Sequence, residues 1–194
     1  MEFPEIPADG GRRFKLLDQA EMTARQREAY QAIVSGPRKG ALGPFNALLR
    51  SPDAADRVQR VGEYVRFRSA IPAALNELAI LIAGRFWNAQ FEFWAHRRLG
   101  QAAGLDAAII DAIAEGRRPA AMSDDERIVY DFCTELFRDK QVSDATFGAV
   151  AGRFGEQGVI DLIVAVGYYS TVSMVLNVDR YPLPVGERPP LRPL

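Results

Sequence analysis

The chain has 194 residues, 48% hydrophobic and 25% charged, which is enough to bury one core, and no shift of composition marks a second domain. Its 24 basic and 25 acidic residues are spread along the chain and leave a formal charge of -1. No long-range field would draw in nucleic acid or an anionic membrane surface, and neither is expected as a partner.

The N-terminal stretch Met1-Glu-Phe-Pro-Glu-Ile-Pro lacks the basic start and apolar run of a secretory signal, which points to a cytoplasmic protein. Residues 1–16 carry Pro and Gly without periodicity and read as an extended arm lying on the surface or on a neighbouring subunit. Helix signals then follow one another. Thr23-Ala-Arg-Gln26 has the form of a capping box, and Gly36-Pro37 ends that helix near Ser35. A loop over 40–44 leads into a short turn over 45–50. Ser51 as cap and Pro52 at the first helical position open a helix to about Arg68, with Val58, Val61, Tyr64 and Val65 on its apolar face.

Pro72 opens the next helix, to Gly84. Leu75, Leu78, Ala79, Ile80, Leu81 and Ile82 leave it almost no polar side, so it is expected to be central. Asn88 is the expected N-cap of a helix running to Ala103, closed by Gly104 in a left-handed cap. Shorter helices fit 106–115 and 123–138, the second opened by the capping box Ser123-Asp-Asp-Glu126. The one cysteine, Cys133, cannot close an internal disulfide and, among Val129, Phe132, Leu136 and Phe137, reads as a core hydrophobe. Two further helices fit 144–154 and 156–179. The most apolar stretch, 162–169, is far shorter than the roughly 20 residues of a membrane span, so none is expected. Residues 182–193 form a proline-rich tail, expected to be extended and docked. No strand pattern occurs. Ala-Gly-Arg-Phe appears at 83–86 and 151–154, but the flanking residues share no register, and no repeat is inferred. The fold class is therefore all-α, a compact bundle of about eight helices.

Chemistry has few places to reside. Glu77 has apolar residues at three and four positions either way, Ala73, Ala74, Ile80 and Leu81, so it is not on a solvated face. Its carboxylate needs a raised pKa or a cationic partner, and Arg85, two turns on, is a candidate. Glu92 and the single histidine, His96, stand at i and i+4, where the carboxylate can hold the imidazole and fix its tautomer. Phe86, Trp87, Phe91, Phe93 and Trp94 surround them and could wall a water-poor pocket, although aromatic residues at such spacing are more often core. One histidine with two carboxylates on different helices is a thin set of metal ligands, and no metal is expected. P-loop and nucleophile-elbow patterns are absent.

Taken together, Glu77-Leu-Ala-Ile-Leu, Arg85-Phe-Trp-Asn-Ala-Gln-Phe-Glu92-Phe-Trp-Ala-His96 and Ala102-Ala-Gly-Leu105 resemble the carboxymuconolactone decarboxylase and alkylhydroperoxidase-D superfamily. Phe154-Gly155, the apolar helix after it and Asn177 extend the resemblance over roughly residues 43–179. The peroxidase branch carries a glutamate, eleven residues, Cys-x-x-Cys, three residues and a histidine. Here the glutamate and histidine are Glu77 and His96, but Ala89 and Glu92 occupy the cysteine positions. Without either thiol there is no disulfide cycle, and the pattern is closer to the decarboxylase branch, which uses no cofactor.

The resemblance implies a helical subunit assembling into a homo-oligomer (dimer, trimer or hexamer) with a pocket near the subunit contacts. It further implies proton-transfer chemistry on a small unsaturated carboxylate or lactone, such as decarboxylation. In that scheme His96 is the general acid/base, Glu92 orients it and Glu77 shuttles or holds a proton. Arg85 binds the substrate carboxylate or stabilises an enolate, with Asn46, Tyr64 and Trp87 as further substrate-binding residues. Two rivals stand beside it: a peroxidase-like enzyme, and a non-catalytic helical protein in which these groups form a structural network.

Overall fold

The computed structural model describes residues 5–7, 10–37 and 40–192. Among them are eight helices and no strand: α1 (Ala24–Ser35), α2 (Phe45–Leu48), α3 (Pro52–Phe67), α4 (Ala73–Phe86), α5 (Gln90–Ala102), α6 (Ala107–Ala114), α7 (Asp124–Asp139) and α8 (Asp144–Asp179). The all-α expectation holds. Both capping boxes form, Thr23 with Gln26 and Ser123 with Glu126, each satisfying two backbone donors that a helix start would leave bare. Ser51, by contrast, makes no capping hydrogen bond, and α3 starts on Pro52 alone.

The two C-terminal helices are one continuous ladder with a kink. Gly155 sits at φ 71° and ψ 175°, a conformation closed to residues with a Cβ, so 144–154 and 156–179 keep separate directions. The kink also brings the Phe154 Cβ to 2.3 Å from where a Cβ on Gly158 would lie, so position 158 must be small as well. By length and composition α8 could cross a membrane, which the 162–169 stretch alone did not suggest. In this fold 56% of its most apolar window is buried against the other helices.

As its composition implies, α4 is the central element. Leu78, Ala79, Ile80, Leu81 and Ala83 are fully buried, and α4 packs against α3, α5, α6, α7 and α8. One face joins α6, α7 and the first part of α8 in a core with Phe93, Ile110, Phe132 and Leu162. The opposite face joins α3, α5 and the rest of α8 through Val65, Trp94, Ala165, Tyr169 and Leu176. A helix buried on all sides needs no amphipathic stripe, which is why α4 shows none.

The described parts of both termini are docked. Arg12 bonds Asp179 at the end of α8 (2.8 Å, both side chains almost fully buried), and the Phe14 N–H donates to the other oxygen of that carboxylate. The tail is gripped by Gln90, whose side chain donates to the Leu191 carbonyl and accepts from its N–H, and Leu191 is buried in the core. Residues 1–4, 8 and 9 of the expected arm and 193 and 194 of the tail lie outside the described residues.

Candidate active site

A tight reversal between α4 and α5 builds the site. Asn88, expected to cap α5, instead ends α4. It adopts the left-handed conformation at φ 48°, the Ala89 N–H returns to the Gly84 carbonyl and the Asn88 N–H to the Arg85 carbonyl. That is the Schellman arrangement, in which Asn is the usual substitute for Gly. Ala89 becomes the N-cap of α5, with no side-chain cap. The chain then runs back along α4, so Gly84 faces Phe93 and Gly100 faces Glu77. Residues 77 and 96, nineteen apart in sequence, arrive side by side.

His96 is held from both ends. Its Nδ1 lies 2.6 Å from Glu77 Oε2, and its Nε2 lies 3.0 Å from Glu92 Oε1 one turn earlier on α5. His96 and Glu92 are buried and Glu77 is nearly so. The partner of Glu77 is thus the imidazole on the next helix and not Arg85. Burial alone pushes the His96 pKa down, and it is the largest single influence. Attraction to Glu77 and then Glu92, with hydrogen bonds to both, outweighs it and raises the value to about 9. The balance is reasonable in magnitude. One opposite charge at about 4 Å contributes on the order of 4 kcal/mol at an effective dielectric of 20, against several kcal/mol for burying the ion, so two carboxylates tip it. At neutral pH the group is an imidazolium between two carboxylates.

Beside this triad lies a cavity of about 370 Å³, near the lower end of the roughly 300–1,000 Å³ range of ordinary ligand sites. Glu92 and His96 line it, whereas Glu77 stands behind the imidazole, away from the opening. Phe91, Ala95 and Leu99 of α5, Tyr168, Tyr169 and Val172 of α8 and the loop from Gly40 to Phe45 make the remaining wall. The Tyr169 ring meets the His96 ring edge to face at 4.8 Å, and burial pushes its phenol well above the ordinary value, so it stays neutral. The other charged lining residue is Arg66, from the last turn of α3.

The four residues expected to bind substrate are elsewhere. The Arg85 guanidinium donates to the Arg192 carbonyl and to Asn88 Oδ1, on a separate depression with Phe86, Tyr130 and Phe137. Asn46 clamps the N-terminal arm, accepting from the Leu17 N–H and donating to the Phe14 and Lys15 carbonyls. Tyr64 donates to Asp161 at 2.7 Å. Trp87 accepts at its carbonyl from Asn177 and buries its indole N–H with no partner among the described residues. Asn46 and Tyr64 are suggested by their place in the helices that precede the motif, and Arg85 by its position two turns beyond Glu77, none of which fixes where a side chain points.

Arg66 was missed although a signal existed. Ala55, Gln59 and Gly62 are buried at helical spacing on α3, and Arg66 continues that stripe. The signal is partial, because Glu63 and Ser69 stand three residues to either side of Arg66, where Glu77 has only apolar neighbours. Tyr168 and Tyr169, by contrast, gave no sign, because α8 is apolar nearly all round. Cys133, in α7, is fully buried and its thiol is pushed up to about 12 by that burial. Among the described residues no group of three or more His, Cys, Asp or Glu is arranged to hold a metal.

No protein-family model matches the sequence, nor does any curated protein. Solved structures do match in shape. One is the alkylhydroperoxidase AhpD core of an uncharacterized peroxidase-related protein from Ralstonia eutropha, with a TM-score of 0.72 and 12% identity over 92% of this chain and 94% of that one. Another is a protein of unknown function from Agrobacterium tumefaciens, described as a candidate antioxidant defence protein AhpD. Its TM-score is 0.64 at 19% identity, over 74% of this chain and 99% of that one. The helical architecture that sets Glu77, Glu92 and His96 together is the AhpD-like fold.

Proposed function

We propose that the protein is a cofactor-free proton-transfer enzyme, a lyase of the carboxymuconolactone decarboxylase kind acting on a small unsaturated carboxylate or lactone. The observation that carries this reading is the geometry of His96, held between Glu77 and Glu92 in the wall of a small cavity. Loss of CO2 leaves an electron pair delocalised into a conjugated carbonyl, and that carbanion must be protonated. An imidazolium opening onto the cavity is a suitable donor. In this reading the two glutamates exchange the roles expected of them. Glu77, behind the ring, orients His96 and sustains its charge, while Glu92, on the cavity wall, meets the ligand and relays the proton with Nε2.

The fold neighbours' descriptions favour a second reading, thiol-dependent peroxide reduction. Its chemistry needs an accessible thiolate. The only cysteine is buried in α7 with a raised pKa, and the positions on α5 carry Ala89 and Glu92. A third reading, a structural polar network, would leave the cavity without a use.

Self-association belongs to the same proposal. The outward side of α8 exposes Ile160, Ile163, Met174 and Val178 at helical spacing, which suits a second copy in the cytoplasm. Sedimentation of the wild type and of Ile163→Glu is expected to show an oligomer and a smaller species.

The functional reading is tested by incubating the protein with a panel of unsaturated carboxylates and lactones, carboxymuconolactone among them, and following CO2 release and deuterium uptake from D2O. Conversion of one compound without added metal or thiol, lost in His96→Gln, is the expected result. Thiol-dependent consumption of a hydroperoxide with no conversion of the panel would replace it with the second reading.

A further inference from the structure

We propose that Arg66 forms an anion subsite in the His96 cavity, which holds a carboxylate of the ligand at one end and presents the ligand's other end to Glu92 and His96. The inference deepens the reading above and rests on this cavity being the substrate site.

Arg66 lines the cavity. Among the described residues it has no hydrogen bond and no ion pair; its guanidinium lies over the exposed Phe67 ring at 5.2 Å, and its charge acts on the buried Tyr169 phenol, opposing the upward push of burial there. Exposed cation–π contacts of this sort are weak, and they leave the in-plane N–H donors of the guanidinium open. Arg12, Arg25, Arg97, Arg118 and Arg153 all have carboxylate partners. Even Arg85 has its donors on carbonyl oxygens. A cation in the last turn of a helix is favoured by the helix dipole, which explains a positive residue near Phe67 but not its place in a cavity wall. The planar fork of an arginine suits a carboxylate in two-point contact.

The charges also set a direction. With His96 as an imidazolium, the triad carries a formal charge of minus one, and Arg66, which lines the same cavity, supplies one positive charge. A carboxylate is repelled from Glu92 and attracted to Arg66, so an anionic ligand enters in one orientation. The aromatic and aliphatic wall from Phe91, Leu99, Tyr168 and Val172 suits a flat unsaturated body between the two ends. The carboxylate at Arg66 is therefore a handle, and the atom that exchanges its proton with His96 is remote from it.

Three probes of one aromatic body and different charge test this by ligand-observed NMR at pH 7: benzoate, benzamide and benzylamine. Benzoate is expected to bind in preference to the neutral amide and the cation. Arg66→Gln should weaken benzoate on the order of tenfold or more, as for loss of a charge-assisted pair, and leave benzamide unchanged. Arg66→Lys, which keeps the charge but not the fork, should restore part of the benzoate affinity. Unchanged melting temperatures would show that the variants are folded, which an exposed end of α3 favours. Equal binding of benzoate and benzamide to the wild type, or a benzoate affinity that Arg66→Gln does not alter, would overturn the proposal. Charge-selective binding that Arg66→Gln abolishes, without conversion of any compound in the CO2 and deuterium assay, would uphold the subsite and remove the lyase reading instead.

Discussion

Of the regions of this molecule that bury carboxylates, two solve the problem in opposite ways. Asp161, in α8, is buried and accepts from three neutral donors, the Tyr64 hydroxyl at 2.7 Å, the Ser69 hydroxyl at 3.1 Å and the Ala70 N–H at 2.7 Å. Every lone pair that matters is met, the α3–α4 connection is tied to α8, and no proton has anywhere to go. At His96 two carboxylates share one imidazole, and one of them opens onto a cavity. The first arrangement is complete without a ligand. The second places a shared proton beside a space large enough for a small molecule, as the proposed reaction requires and a structural knot does not.

Substitutions should separate the two. The largest expected effect is on turnover: His96→Gln should lower it by about 100- to 10,000-fold on whichever panel compound is converted, since that is what a positioned acid or base contributes. Next, Glu92→Gln should reduce kcat more than Glu77→Gln does, because Glu92 lines the cavity and Glu77 does not. Glu77→Gln removes the strongest of the influences that raise the His96 pKa, so the alkaline limb of the pH–rate profile, expected near 9 in the wild type, should shift to lower pH. Equal losses with no shift of the limb would dissolve the assignment of separate roles. At Asp161 the pattern should invert. Asp161→Asn should cost about 2–3 kcal/mol of stability by denaturant unfolding, as for lost hydrogen bonds to a charged acceptor, with turnover per folded molecule kept. The smallest effect is expected of Tyr64→Phe, a lower melting temperature than wild type with unchanged KM. A large rise in KM would return Tyr64 to the pocket.

The contrast also shows what a sequence can carry. The α4–α5 pairing was legible because its residues violate local pattern: Glu77 on an apolar helix, Glu92 and His96 one turn apart, and a central helix with no polar side. Both capping boxes and the kinked pair of C-terminal helices were legible for the same local reasons. What failed needed the third dimension. Arg85 was favoured by sequence distance, yet its guanidinium donates to the tail at the Arg192 carbonyl and lines a separate depression. Asn88 looked like a cap because Asn often caps, but the same residue also tolerates the left-handed turn that closes α4. Tyr64 lies on the α3 side toward Asp161, two residues from Arg66, and that angular difference decides which of them lines the cavity.

The most direct measurement uses the fact that the chain has one histidine. The imidazole of His96 gives a single set of ring signals, and its titration can be followed by NMR without assignment. With a folded value of about 9 against an ordinary 6.5, the stabilisation from the clamp is fully present below about pH 6.5 and is lost as pH rises through about 9. Melting temperatures of the wild type should therefore fall across that window more steeply than those of His96→Gln. The ring itself should remain doubly protonated at pH 7 and titrate near pH 9. A ring that titrates near 6.5 and is neutral above pH 7.5 would contradict the clamped imidazolium, and with it the proton donor on which the proposed chemistry rests.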